Sequence, residues 1–180
     1  MINDDTILET LKANANYELA FSNIFKIYHK KVYWNVRRIL IDHSDSDDVT
    51  QNIFIKIWNG LPNFKNDSKL YTWIYRITVN ESLTFLKSRK IRATFSFRDY
   101  EQELSNKLHD NNIFCGNEIE RNLNLAILKL PPKQRQVFNL RYYDEMPYEE
   151  MSEVLSTSVG ALKASYHHAS SKVELFLKQI

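Results

Sequence analysis

The sequence predicts an all-α protein made of two small helical domains joined by a flexible linker. Three observations predict this. Leu70 to Lys90 runs 21 residues without Gly or Pro, and Leu70, Trp73, Ile74 and Ile77 recur at three- and four-residue steps, the period of one helical face. Residues 91–116 lose that period and become strongly polar, as a linker does. Beyond them Asn117, with Glu120 three residues on, forms a capping box that opens a new helix. The expected division is therefore 1–92, a linker 93–116, and 117–180.

Composition bounds what such a chain can do. A hydrophobic share of 43% suits compact globular structure rather than disorder. Formal net charge is only +2, so any affinity for a polyanion must rest on where the charges sit. The three Gly residues stand far apart and build no phosphate-cradling loop. The single Cys115 excludes an intrachain disulfide and offers no zinc pair. No apolar run approaches the ~18 residues of a membrane span, and the start of the chain lacks the basic residues of a secretory signal. A soluble, cytoplasmic chain with no membrane insertion of its own is expected.

In chain order, Thr6 to Lys12 is a short amphipathic segment. Tyr17 to Leu40 reads as a helix with a broad apolar face, Lys and Arg occupying much of the rest, and room for a bend near His29. Residues 41–48 break the pattern with four Asp and no Lys or Arg, which suits the positive N-terminal end of the next helix. That helix, Val49 to Asn59, carries Ile53, Phe54, Ile57 and Trp58 on one side and is stopped at Gly60–Asn63. A polar loop, 64–69, leads into the long helix from Leu70, about 31 Å at 1.5 Å per residue.

After the linker, Ile119, Leu123, Ala126, Ile127 and Leu130 keep helical spacing until Pro131-Pro132. Lys133 to Tyr143 forms another helix. Pro147, suited to a first helical position, opens a short helix to Leu155. Ser156-Thr157-Ser158 turns the chain into a last helix, Val159 to about Lys178. Met151, Val154, Leu155, Leu162 and Tyr166 can close a small shared core. This is the pattern of a helix-turn-helix, whose second helix lies in a DNA major groove, although any helical hairpin with a short turn looks similar.

Two segments carry chemistry. In residues 65–92 seven basic residues face only Asp67 and Glu81, an excess hidden inside the near-neutral total. Arg76, Asn80 and Thr84 are spaced to point one way beside the aromatic stripe. Such a helix can stack bases, read an edge and hold phosphate, while periodicity alone fits a buried core helix with a solvated basic end equally well. In the last helix Gly160, Ala161, Lys163, Ala164, His167, His168 and Ser171 fall on the outward side. Ser158 and the N–H groups beside it can hold a phosphate at the helix start. His167 and His168 are adjacent, so they point apart and make no metal pair. Asp47-Asp48 has no partner spaced to complete a catalytic site and serves better as a cap. No metalloprotease, nucleophile-elbow or phosphate-loop motif is present. No catalytic residue, metal or cofactor is expected.

Asp47-Asp48-Val-Thr-Gln51-Asn52-Ile-Phe54-Ile55-Lys-Ile-Trp58 and Thr72-Trp73-Ile-Tyr-Arg76-Ile-Thr-Val-Asn80 resemble region 2 of bacterial RNA polymerase sigma factors. Leu130-Pro-Pro-Lys-Gln-Arg135-Gln-Val-Phe138 and Ser158-Val-Gly-Ala-Leu-Lys163-Ala-Ser-Tyr-His-His-Ala169 resemble region 4. Two regions and a short linker are similar to the extracytoplasmic-function group. The resemblance implies that Asp48, Gln51, Asn52, Ile55 and Trp58 dock on core RNA polymerase. It implies that Lys65, Asn66, Lys69, Trp73, Arg76, Asn80 and Arg89 melt and capture the promoter −10 element. It assigns the −35 element to Ser158, Lys163, Ala164, His167 and His168. A captured base regains roughly 1–3 kcal/mol by stacking, which can offset unstacking without ATP. An anti-sigma factor that covers the docking surfaces is also implied, and Phe54, Trp58 and Phe95–Tyr100 are where it would sit. A stand-alone helix-turn-helix regulator and an all-helical protein adaptor are the competing readings. The regulator leaves the basic aromatic helix and the Asp48–Trp58 surface without a purpose, and a pull-down with core polymerase separates all three.

Overall fold

The computed structural model describes residues 3–14, 16–92 and 118–179, and among them all regular structure is helical. In chain order the helices are α1 (Asp4–Asn14), α2 (Tyr17–Leu40), α3 (His43–Gly60), α4 (Leu70–Arg92), α5 (Glu118–Leu128), α6 (Pro132–Tyr142), α7 (Tyr148–Leu155) and α8 (Val159–Leu177). A 3-10 turn, Leu61–Asn63, follows α3. The chain forms two compact units, Met1–Phe85 and Leu86–Ile180. No helix among the described residues is long and apolar enough to cross a membrane.

In the first unit α2 is the central support. Asn16 caps it, its Oδ1 accepting from the Leu19 N–H at 3.0 Å, and the helix runs unbroken past His29. Ile24, Val32 and Val36 are fully buried, as are Ile53 and Ile57 of α3 and Ile74 of α4. Ile7 of α1 is buried as well. The Tyr28 hydroxyl donates to the Asp4 carboxylate at 2.6 Å, fastening α1 to α2. Burial, and then the hydrogen bond to that carboxylate and its charge, push the Tyr28 phenol above its ordinary range.

The connection from α2 to α3 is tight. Ile41 adopts φ 65 and ψ −36, and the Asp42 N–H donates back to the Leu40 carbonyl at 2.8 Å, a γ-turn of the strained kind. Positive φ in a β-branched residue costs about 1–3 kcal/mol. Ile41 is 5% exposed, so its buried side chain offsets part of that cost. Asp42 then caps α3, accepting from the Asp45 N–H at 3.0 Å.

Helix α3 therefore starts at His43, six residues before the Val49 expected from sequence. The acidic stretch is the first turns of the helix itself, where its charge meets the positive end of the peptide dipoles. Arg37 of α2 is buried beside this start. Burial lowers its pKa, and Tyr33, Asp42 and Asp47 oppose that shift.

Helix α4 differs from its sequence pattern in which side it buries. Leu70, Ile74, Tyr75 and Val79 are buried together with Thr72, Thr78 and Ser82, while Trp73 and Ile77 are only half-buried at the edge. The hydroxyls explain the difference. Thr78 Oγ1 donates to the Ile74 carbonyl and Ser82 Oγ to the Thr78 carbonyl, at 3.0 and 2.8 Å, so these polar residues enter the core already satisfied.

In the second unit Ala126, Ile127, Leu130, Phe138, Ala169 and Val173 form the core. Helix α5 ends at Leu128, and the capping residue expected at Asn117 lies outside the described residues. Arg135, 3% exposed, donates its guanidinium to the carbonyls of Leu128 and Leu130. These are groups that the end of α5 leaves without helical partners. Pro132 takes the first position of α6. Pro147, by contrast, stands one residue before α7 as its cap position, not inside the helix as the sequence suggested. Ser156 ends α7 in the left-handed region at φ 49. Ser158 Oγ accepts from the Ala161 N–H at 3.3 Å to start α8.

Candidate nucleic-acid interface

Three surfaces collect the residues singled out from sequence. On α3, Asp48, Gln51, Asn52, Ile55 and Trp58 are all exposed and, at steps of three and four, share one side of the helix. Ile55 is 51% and Trp58 40% exposed, unusual for groups with this much apolar area. The face continues onto α2. Trp58 meets Phe21 edge-on at 5.2 Å, and Phe25, 42% exposed, meets Phe54 at 4.9 Å. Sequence reasoning set Phe21 and Phe25 on the broad apolar face of α2 and did not join them to this surface. The available signal was an apolar arc on α2 wider than one core-facing stripe needs.

The second surface is the loop 64–69 with the outer side of α4. Lys65, Asn66, Lys69, Asn80 and Thr84 are exposed, and Arg76 and Arg89 are half-buried. Asn66 holds φ 60, a conformation Asn tolerates better than most side chains, and it reverses the loop between the two lysines. Trp73 is a wedge rather than a free ring. Phe64 lies 5.0 Å away on a tilted plane, and a Cβ at Gly60 would come within 3.0 Å of Trp73 Cζ2. Gly60 is thus small because the indole needs the space. One part of the Trp73 ring is packed, and the residue as a whole is half-buried.

The third surface is α8. Leu162, Ala169 and Val173 point into the core, and Gly160, Ala161, Lys163, Ala164, His167, His168 and Ser171 are exposed, the division expected from sequence. A Cβ at Gly160 would meet nothing within 4 Å, so no intramolecular packing requires glycine there. Ser158 is exposed, but its oxygen already caps α8, leaving its hydroxyl proton and the neighbouring N–H groups for an anion. Tyr148 of α7 lies beneath two cations, Lys163 Nζ at 5.7 Å and the Arg141 guanidinium at 5.3 Å from its ring centre. No group of three or more His, Cys, Asp or Glu among the described residues could hold a metal. The geometry offers side chains for stacking, hydrogen bonding and charge.

Two family models match the chain in succession. The family model described as Sigma-70 region 2 matches residues 24–91, and that described as Sigma-70, region 4 matches residues 120–173. The chain is 27% identical over 169 residues to the ECF RNA polymerase sigma factor SigW of Bacillus subtilis, covering 89% of this chain and 90% of the relative. It is 30% identical over 166 residues to the ECF RNA polymerase sigma-E factor of Escherichia coli, covering 86% and 85%. Among solved structures, CnrH in complex with the cytosolic domain of CnrY is similar in fold, with a TM-score of 0.69, 22% identity and coverage of 96% and 97%. The sigma factor RpoE of Bartonella quintana, in complex with the anti-sigma factor NepR, gives a TM-score of 0.68 at 16% identity, covering 88% and 96%. With both regions present in order along nearly the whole of such relatives, the chain belongs to the extracytoplasmic-function group of RNA polymerase sigma factors.

Proposed function

We propose that this protein binds core RNA polymerase in the cytoplasm and directs it to promoters, recognising duplex through α8 and capturing melted −10 bases on α4. It is an initiation factor rather than an enzyme, since RNA synthesis is the polymerase's chemistry. The observation that carries the residue assignments is exposure: Asp48, Gln51, Asn52, Ile55 and Trp58 on α3, Lys65, Asn66 and Lys69 with Asn80, and Lys163, Ala164, His167 and His168 are exposed while their helices' other sides build the cores. Trp73, Arg76 and Arg89 stand at the margin of the second group.

In this reading residues 1–92 hold polymerase and the −10 strand, 93–116 tether, and 117–180 hold the −35 duplex. Tethering lets each contact be weak alone, because it raises the effective concentration of the second. An exposed aromatic face on α2 and α3 suits two mutually exclusive partners, polymerase and an anti-sigma factor. The complexes seen for the relatives CnrH and RpoE support the second of these.

The test is reconstitution. The isolated chain is expected to bind promoter duplex poorly, and addition of core polymerase to give salt-sensitive, sequence-specific opening. Tight operator-like binding by the chain alone, or no association with core polymerase in a pull-down, would overturn the proposal.

A further inference from the structure

Glu81 is out of place on the face assigned above to single-stranded DNA. It directly follows Asn80 and stands four residues beyond Ile77 and eight beyond Trp73, on the same stripe of α4. A carboxylate there faces phosphates of like charge. The structure supplies its counter-charge from another helix: Lys56 of α3 places Nζ 2.5 Å from Glu81 Oε1. Glu81 is the more enclosed partner, with its side chain 20% exposed against 55% for Lys56. Lys56 in turn stands next to Ile55 and four residues beyond Asn52, at the margin of the proposed polymerase-docking side of α3.

We infer that Lys56 is a positioning residue that masks Glu81, so that α4 meets the melted strand as a cationic and aromatic surface. This rests on the −10 reading above. An exposed ion pair contributes little to folding, so its consequence lies in the field that the strand meets. At 0.1 M salt that field decays over ~10 Å, so it acts on phosphates drawn up beside Asn80. The same ammonium joins the docking helix to the strand-capture helix, so a tilt of one carries the other's charge balance with it.

The experiment uses full-length protein in reconstituted holoenzyme, with a fluorescent single-stranded oligonucleotide of the non-template −10 strand titrated across a salt series. Lys56→Ala is expected to weaken binding about fivefold at 0.1 M salt, with the loss shrinking as salt rises and screens the exposed carboxylate. Lys56→Arg should bind like the parent. Glu81→Gln should bind as tightly or more tightly, and Lys56→Ala with Glu81→Gln should return to within about twofold of the parent. Weakening by Glu81→Gln equal to that by Lys56→Ala would show a merely structural tie and overturn the inference. So would a double variant as weak as Lys56→Ala, since Lys56 would then touch DNA or polymerase directly. Failure of the parent holoenzyme to bind the strand would overturn the −10 reading and this inference together. Normal parent binding without recovery in the double variant would overturn this inference alone.

Discussion

The packing of Trp73 against Gly60 allows stability and function to be separated by one methyl group. Gly60 has φ −86 and ψ −20, a helical conformation that alanine adopts readily. On backbone grounds Gly60→Ala should therefore stabilise the fold by about 0.4–1 kcal/mol, by restricting the unfolded chain. The new Cβ would stand 3.0 Å from Trp73 Cζ2, closer than an ordinary van der Waals contact, and Phe64 at 5.0 Å crowds the ring from its own side. The indole must move by a few tenths of an ångström at an overpacking cost of about 1–3 kcal/mol if the surroundings resist. These opposed effects leave a net cost of about 0–2.5 kcal/mol, while the Trp73 ring, proposed to border the melted bases, is displaced. Loss of part of a base–aromatic contact worth ~1–3 kcal/mol should lower promoter opening roughly fivefold. Urea melting gives the stability, and Trp73 emission in a Trp34→Phe, Trp58→Phe background reports ring movement. Permanganate reactivity of promoter thymines in the holoenzyme reports opening. Unaltered opening despite a shift in Trp73 emission would refute the reasoning, as would a loss of opening matched by equal loss of the fold.

Other outcomes follow from the same structure. Asn66→Val, forcing a β-branched residue to φ 60, should cost about 1–2 kcal/mol and reduce −10 strand binding, whereas Asn66→Gly should keep both in the same titration. Arg135→Met leaves the Leu128 and Leu130 carbonyls buried without their donor, a cost of about 1–3 kcal/mol for each unsatisfied group. Residues 118–180 should melt earlier and promoter binding fall with them, as read by differential scanning calorimetry. Tyr28 has its pKa raised in the fold by burial and by Asp4. Its contribution is therefore intact below about pH 10, its unfolded value, and is lost as pH rises beyond that. Tyr28→Phe should be less stable at neutral pH by about 1 kcal/mol and show a smaller further loss between neutral and strongly alkaline pH in chemical denaturation. Ile55→Glu should leave the melting temperature within a degree or two, because Ile55 is exposed, and should abolish capture by core polymerase in a pull-down.

Most of the helical order was legible in the sequence because its signals are local: the apolar period of α2, the Gly60–Asn63 stop, the serine between α7 and α8. The outward set on α8 was equally legible, since an amphipathic period of 3.6 fixes both sides of a helix at once. Legibility failed where a residue's type and its surroundings disagree. Thr78 and Ser82 look solvent-facing, yet hydrogen bonds to their own helix let them enter the core, and that moved the buried side of α4 away from Trp73. The start of α3 was misplaced because four aspartates resemble a loop until Asp42 is seen to cap them. The exposure of Phe25 was not legible, because sequence shows that a residue is apolar but not whether enough neighbours exist to cover it. Lys56 and Glu81 are 25 positions apart, and no periodicity within a single helix relates them.

The one-residue hinge at Ile41 has a mechanical consequence. With the Asp42 N–H bonded back to Leu40 and α3 beginning at once, there is no slack with which α3, proposed to dock on polymerase, can reorient against α2. Whatever grips Trp58 also grips Phe21, and the pair behaves as a rigid corner bracket. Lengthening the joint by a single glycine after Ile41 would release the strain and leave α3 free to turn against α2. The chain would keep its helices and lose its handle.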